Sequence, residues 1–298
     1  MQKAWFYNEY GSINVLQSGE VPVPKPGPDQ ILVKIRTAAL NTVDFKSADS
    51  DFPVVPGCDA AGVVVEVGDG VSKFNNGDEI YCHIPNFTAG RPKQWGTLAQ
   101  YTVVGEYLVA PKPTNLSFEE AASLPLSVLI AQQAFDIAKF EKGQSVFIVG
   151  GAGGVGSLAI QLAKHVYGAS RIVSSASTGT LDFVKSLGAD LVIDYTKQSY
   201  DQVSEKFDFV FDTIGDSTKS HVVAKDLDIA SFQSHPRDQF FELIPSAHNL
   251  EKLQPYIESE KLKPVIDPKS PYSFSDVIEA FIHQESGRAR GKIVISPM

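Results

Sequence analysis

Two textures of apolar and polar positions follow one another along the chain. From Met1 to about Ala122, short β-branched runs are separated by Pro, Gly and Asp. Residues 1–7, 31–36 and 62–68 read as strands, and Gly77-Asp78 as a tight turn into a further strand at Ile80-Tyr81. Residues 21–28, with proline at every second position, predict an extended connector, because proline cannot donate to a ladder. This half is predicted to be a small β-rich barrel. Ser117 with Glu120 three residues on is a capping box and predicts a short helix there.

From Gln144 the texture changes. Apolar strand segments at 145–149, 171–175, 191–193 and 209–211 alternate with helical periodicity at 155–165 and 180–187, the latter closed by Gly188. Such alternation predicts a parallel sheet covered by helices, an α/β doubly wound arrangement. The last segment ends in a strand at 291–295 that is expected to return to the first domain. The expected boundaries are therefore 1–123, 124–262 and 263–298.

Composition narrows the function classes. Over 298 residues, 43% hydrophobic and 20% charged, the chain is long enough for two ordinary globular domains. Its formal net charge of -9 argues against nucleic-acid binding, which needs a basic face. No apolar run has the length of a membrane span. Residues 1–7 already read as a strand rather than a signal or transit segment, so the cytoplasm is the default location, and a plastid remains open if a transit peptide was removed. Cys58 and Cys82 are the only cysteines and are expected as buried thiols rather than a disulfide framework.

The chemistry concentrates after the strand at 145–149. Gly151-Ala152-Gly153-Gly154-Val155-Gly156 satisfies G-x-G-x-x-G, between a strand and a helix, where glycine lets the backbone approach phosphate and the helix N-terminus supplies N–H donors. The alternative is a glycine loop that only packs helix on sheet. An NAD site would end the second strand in Asp or Glu for the ribose hydroxyls. This one ends in Ser174-Ser175-Ala176-Ser177-Thr178, which favours the 2′-phosphate of NADPH; a serine-rich loop with nothing to bind is the plainer reading. Tyr195, past the third strand, is placed either against adenine and phosphate or simply at the surface. Cys58, Asp59 and His83 do not have the spacing of a zinc centre, and no metal is expected. No G-x-S-x-G elbow supports acyl transfer.

With these residues in view, the chain resembles the zinc-free quinone oxidoreductase branch of the medium-chain dehydrogenase/reductase superfamily, particularly its alkenal/one and enone oxidoreductases. The likeness runs nearly end to end, through residues 39–46, 55–62, 77–81, 150–156, 161–165, 188–190, 193–197 and 288–292. It implies a GroES-like β-rich catalytic domain beside a Rossmann domain, and hydride transfer from NADPH to an activated C=C bond or a quinone. It places Lys46 near the nicotinamide ribose and substrate as the catalytic cation, with Asn41 nearby. It assigns Gly153, Gly154, Val155 and Gly156 to the pyrophosphate, and Ser177, Thr178, Gly179, Thr180 and Tyr195 to the 2′-phosphate. Gly215 is a further cofactor contact, Ile229, Phe241, Glu242 and Leu243 frame the nicotinamide carboxamide, and Arg290 and Gly291 add a C-terminal cofactor contact. Without the resemblance, Lys46 reads as a solvated surface lysine.

The chain also departs from that family. Gly179-Thr180 stands where a lysine is common, Thr42 where proline often follows the asparagine, and Ile130 where a pocket threonine is frequent. Residues 46–54 and 224–229 look short for their loops; a true deletion and an omitted stretch of sequence both fit. The expected substrate is a small enone or quinone, the expected assembly a monomer or homodimer. Two rivals stand beside the enone reductase: a quinone reductase, and a nucleotide-binding homologue with little catalysis.

Overall fold

The computed structural model describes residues 1–9, 11–44, 52–85, 87–88, 91–92, 94–215, 223–224, 229–231, 239–240 and 242–298. They form two compact units: residues 1–126, 245–254 and 266–298, and residues 127–244 with 255–265. Both short-looking junctions, near Ser50 and Asp226, lie outside the described residues.

The first unit opens with β1 (Gln2–Phe6) antiparallel to β2 (Gln17–Val21). β3 (Gln30–Ala39) is paired along its length by β4 (Asp59–Val67), and β5 (Glu79–His83) continues the sheet. β6 (Phe87–Thr88) and β7 (Arg91–Pro92) pair with each other. β8 (Tyr101–Gly105) takes the other edge of β3 over its first half, and β9 (Val109–Pro111) pairs with β5. Register shifts in β3 between Leu32 and Val33 and between Ile35 and Thr37 bend the strand and sharpen its twist. Ile31, Val33, Ile35, Val64 and Ile80 fill the core beneath. α1 (Phe118–Ala122) starts at the expected capping box: Ser117 Oγ accepts from the Glu120 N–H at 3.2 Å, and Glu120 accepts from the Ser117 N–H at 2.8 Å. α2 (Pro125–Ile137) follows.

In the second unit, β10 (Ser145–Val149), α3 (Gly154–His165), β11 (Arg171–Ala176), α4 (Leu181–Ser186), β12 (Leu191–Asp194) and β13 (Phe209–Asp212) succeed one another as the alternation predicts. β14 (Ile229–Ser231) and β15 (Gln239–Phe240) complete a parallel sheet ordered β12-β11-β10-β13-β14-β15. Counted from β10 this is 3-2-1-4-5-6, the doubly wound dinucleotide-binding order, with its switch point between β10 and β13. Phe147, Val173, Phe207 and Val210 pack the core.

α5 (Ala247–Glu258) and α6 (Val277–Glu285) precede the last strand, β16 (Val294–Ile295), which pairs antiparallel with Ala38 and Ala39 of β3. Residues 124–126 and 245–254 fall in the first unit. The Leu126 N–H is held by Asp59, and Tyr81 Oη donates to the Leu250 carbonyl at 3.5 Å.

Candidate functional site

The glycine turn of the second unit is built for close backbone approach. Gly150 leaves β10 at φ +80°, where side chains are strained, and its N–H donates to Ser175 Oγ at 3.1 Å. A methyl group on Gly156 would lie 2.2 Å from the Gly150 carbonyl oxygen, so α3 touches the turn only because position 156 carries no side chain. Gly153 caps α3 without a side chain to occupy its first N–H groups. The donors of Gly154, Val155 and Gly156 are thus available to an anion at a helix N-terminus.

The hydroxyls after β11 divide into two sets. Ser174 and Ser175 are fully buried: Ser174 Oγ donates to the Ile148 carbonyl at 2.7 Å, and Ser175 Oγ accepts from Tyr200 Oη at 2.9 Å. They belong to the sheet, not to a phosphate. Ser177 to Thr180 form the outward loop, in which Ser177 and Thr180 hydroxyls lie 3.2 Å apart. Tyr195 is brought beside them by its N–H, which donates to the Ala176 carbonyl at 3.2 Å, and is 55% exposed.

β11 has no terminal acid, but β12 supplies one to the same place. Register pairs Ala176 with Asp194, and Asp194 accepts from Thr178 Oγ1 and from Thr196 Oγ1, both at 2.6 Å. The Thr178 bond, then that of Thr196, hold the Asp194 carboxyl down to about 2. The Thr178 proton is therefore directed at a carboxylate and that of Thr180 at the Ser177 carbonyl, 3.1 Å away, leaving Ser177 and Tyr195 as the nearest open donors to a phosphate. Lys197 Nζ, 3.5 Å from Asp194, offsets the charge. Spacing along one strand could not reveal Asp194, because the neighbouring strand places it.

On the other side of the switch point, buried Asp212 accepts from the Ile214 and Gly215 N–H groups at 3.0 and 2.8 Å, and Gly215 turns at φ +88°. Ile229 opens β14. Phe241 lies outside the described residues. The Glu242 carbonyl accepts from Gln133 Nε2 at 2.7 Å, and Leu243 follows.

In the first unit Asn41 sits in a buried polar network. Its amide nitrogen donates to Asp59 Oδ2 at 3.0 Å, and its amide oxygen accepts from Lys292 Nζ. Its N–H donates to Asp44 Oδ2 at 2.8 Å. Asp59, with no exposed surface, also takes His83 Nδ1 at 2.8 Å, Lys292 Nζ at 3.4 Å and the Leu126 N–H at the start of α2. Burial pushes the Asp59 carboxyl up, but Lys292, His83 and Asn41 together outweigh it and hold it below its usual value. Asn41 thus has both amide groups engaged by the protein. Gly291 turns at φ +83° next to Lys292, and the Arg290 N–H donates to Asp267 Oδ2 at 2.7 Å. Lys46 lies outside the described residues.

These residues do not fit zinc. No group of three His, Cys, Asp or Glu converges among the described residues. The carboxylate of Asp59 is already held by an ammonium, an amide, a ring nitrogen and a backbone N–H. Cys58 and Cys82 are buried thiols and form no disulfide.

Comparison with known proteins agrees with this arrangement. An alcohol dehydrogenase GroES-like domain model matches residues 27–114, and a zinc-binding dehydrogenase model matches residues 187–295. The 2-methylene-furan-3-one reductase of Solanum lycopersicum is 49% identical, over 99% of this chain and 79% of its own. The chloroplastic NADPH-dependent alkenal/one oxidoreductase of Arabidopsis thaliana is 45% identical, over 99% and 80%. Among solved structures, the quinone oxidoreductase from Coxiella burnetii has a TM-score of 0.87 at 29% identity, over 100% of this chain and 99% of that one. On its fold and on these near-full-length identities, the chain belongs to the medium-chain dehydrogenase/reductase superfamily, in its quinone-oxidoreductase-like branch.

Proposed function

We propose that this protein is an NADPH-dependent reductase that adds hydride to the C=C bond of α,β-unsaturated carbonyl compounds without a metal. The observation that carries this reading is its near-full-length identity of 49% and 45% to an enone reductase and an alkenal/one oxidoreductase.

The second unit fits the cofactor: a cradle at 150–156 that a Cβ at Gly156 would fill, and hydroxyls at 177–180 beside Tyr195. The N–H groups of Gly154, Val155 and Gly156 would hold the pyrophosphate. Ser177 and Tyr195 would take the 2′-phosphate, joined by Thr180 once its hydroxyl turns from the Ser177 carbonyl, and residues 215, 229 and 241–243 would line the nicotinamide end. Bound NADPH supplies the hydride. As hydride reaches the β-carbon of an enone, negative charge builds on the carbonyl oxygen, and the Lys46 ammonium is the group we assign to stabilise that enolate. Conjugation already activates the acceptor, so a Lewis acid is not required. Asn41, held by Lys292 and Asp59, anchors the start of the segment that leads to Lys46.

The test is NADPH oxidation with a small enone, a furanone bearing an exocyclic methylene, and a naphthoquinone. Turnover of the first two is expected. Lys46→Met should lower kcat/KM for the enone about 100-fold, the loss typical of one charge-stabilising donor, with NADPH affinity retained. Turnover of the quinone alone would favour the second reading, a quinone reductase, which the Coxiella neighbour supports. Tight NADPH binding with turnover of none of the three would overturn both.

Among the described residues no helix is long and apolar enough to cross a membrane. Two plant relatives are named chloroplastic, which supports a plastid location over the cytoplasmic default. A fluorescent fusion of the full-length gene product would separate the two compartments.

A further inference from the structure

Gln133, on α2, grips a loop 109 residues away by its backbone. Its Nε2 donates to the Glu242 carbonyl at 2.7 Å, and its Oε1 accepts from the Ile244 N–H at 2.9 Å. All of these residues belong to the second unit. One primary amide thus brackets Leu243 from both sides.

The orientation of Leu243 follows from peptide geometry. In a trans peptide the C=O and N–H point in opposite directions, and the cis bonds among the described residues lie elsewhere, each before a proline. Because the Glu242 C=O is aimed at Gln133, the Leu243 N–H, in the same peptide, points away from it. Because the Ile244 N–H is aimed at Gln133, the Leu243 C=O points away as well. Leu243 therefore presents a donor and an acceptor together, on the side opposite the clamp. Neither makes a hydrogen bond to the described residues. The chemical complement of such a pair is a primary carboxamide, which offers one C=O and one NH2.

The placement agrees. Residues 242–244 follow β15, at the carboxyl ends of a parallel sheet, where doubly wound folds take ligands. β15 lies three strands from β10, about 14 Å at ordinary strand spacing. The 177–180 loop lies on the opposite side of β10, after β11. A dinucleotide whose phosphates sit at the glycine turn and whose adenosine lies over β11 extends its other base toward β15.

We propose that Gln133 is a positioning residue that sets the Leu243 N–H and C=O as a binding pair for the carboxamide of nicotinamide. This rests on the reading of the protein as a nicotinamide-cofactor reductase and adds the device that orients the ring. Glutamate at 133 could accept from Ile244 but would turn an oxygen toward the Glu242 carbonyl, and methionine could do neither.

The test is calorimetric titration of NADP+ against its 3-acetylpyridine analogue, which keeps the C=O but carries methyl in place of NH2. 2′,5′-ADP serves as a control for the adenosine half. The wild-type protein is expected to prefer the carboxamide by about tenfold, the scale of one hydrogen bond. In Gln133→Met and Gln133→Glu that preference should fall below about twofold, with 2′,5′-ADP bound as by wild type. Equal wild-type affinity for the two cofactors would overturn the proposal. So would a preference retained in either variant, or loss of 2′,5′-ADP binding in both. Absence of enone turnover would sink the reductase reading yet leave this binding preference measurable, so the two failures are distinct.

Discussion

Asp59→Leu is expected to destabilise the protein by about 3–5 kcal/mol, the usual effect of removing one partner from a buried ion pair. Asp59 has no exposed surface and Lys292 is only 5% exposed, so the substitution leaves an ammonium in the core with just the Leu40 and Asn41 oxygens for company. It also frees the His83 ring and removes the acceptor of the Leu126 N–H at the start of α2. Chemical denaturation monitored by circular dichroism gives the loss. Adding Lys292→Met removes the stranded charge, and the double variant should recover much of the stability, a coupling that a double-mutant cycle quantifies. Acid should act in the same direction. Asp59 has its carboxyl held below the ordinary 3.8, so its contribution is present above that pH and is lost as the pH falls below it toward the folded value. The Asp59→Leu variant should lack that part of the acid transition.

Gly156→Ala is expected to weaken NADPH binding by about a hundredfold, close to 3 kcal/mol, and to lower stability by about 1–3 kcal/mol. Its new methyl would meet the Gly150 carbonyl oxygen at 2.2 Å and the Gly151 Cα at 2.9 Å. Both are main-chain atoms, so relief requires α3 to move off the turn, and its N-terminal donors move with it. Gly153→Ala makes the contrast. Its φ of −76° suits alanine, and the added carbon would find the Gly150 oxygen at 3.5 Å, ordinary contact. That variant should keep its stability while crowding the anion site. Fluorescence titration with NADPH beside thermal denaturation separates the two effects. If Gly156→Ala bound NADPH as wild type does, the cradle would not be the cofactor site.

What could be read from the chain itself is what local chemistry or chain order dictates. The capping box at Ser117 needs only residues three apart. The glycine turn declares itself between an apolar strand and a helix, and successive β-α units wind into the 3-2-1-4-5-6 order because parallel crossovers are right-handed. What escaped depends on register between distant segments. Asp59 meets Lys292 across 233 positions, and Gln133 meets Glu242 across 109. Asp194 reaches Thr178 only because β12 lies beside β11 with Asp194 opposite Ala176. The serines of β11 mislead for a similar reason: composition shows the hydroxyls, whereas the fold decides that Ser174 and Ser175 lie within the buried strand and Ser177 in the loop that follows it.

Transfer of the cofactor's hydride to one particular carbon tests the central claim most directly. With NADPH deuterated at the nicotinamide C4 and an acyclic enone as acceptor, mass spectrometry and NMR of the product should find deuterium at the β-carbon of a saturated ketone, its carbonyl intact. Deuterium on the carbonyl carbon of an allylic alcohol, or no incorporation while the protein binds NADPH tightly, would contradict the account.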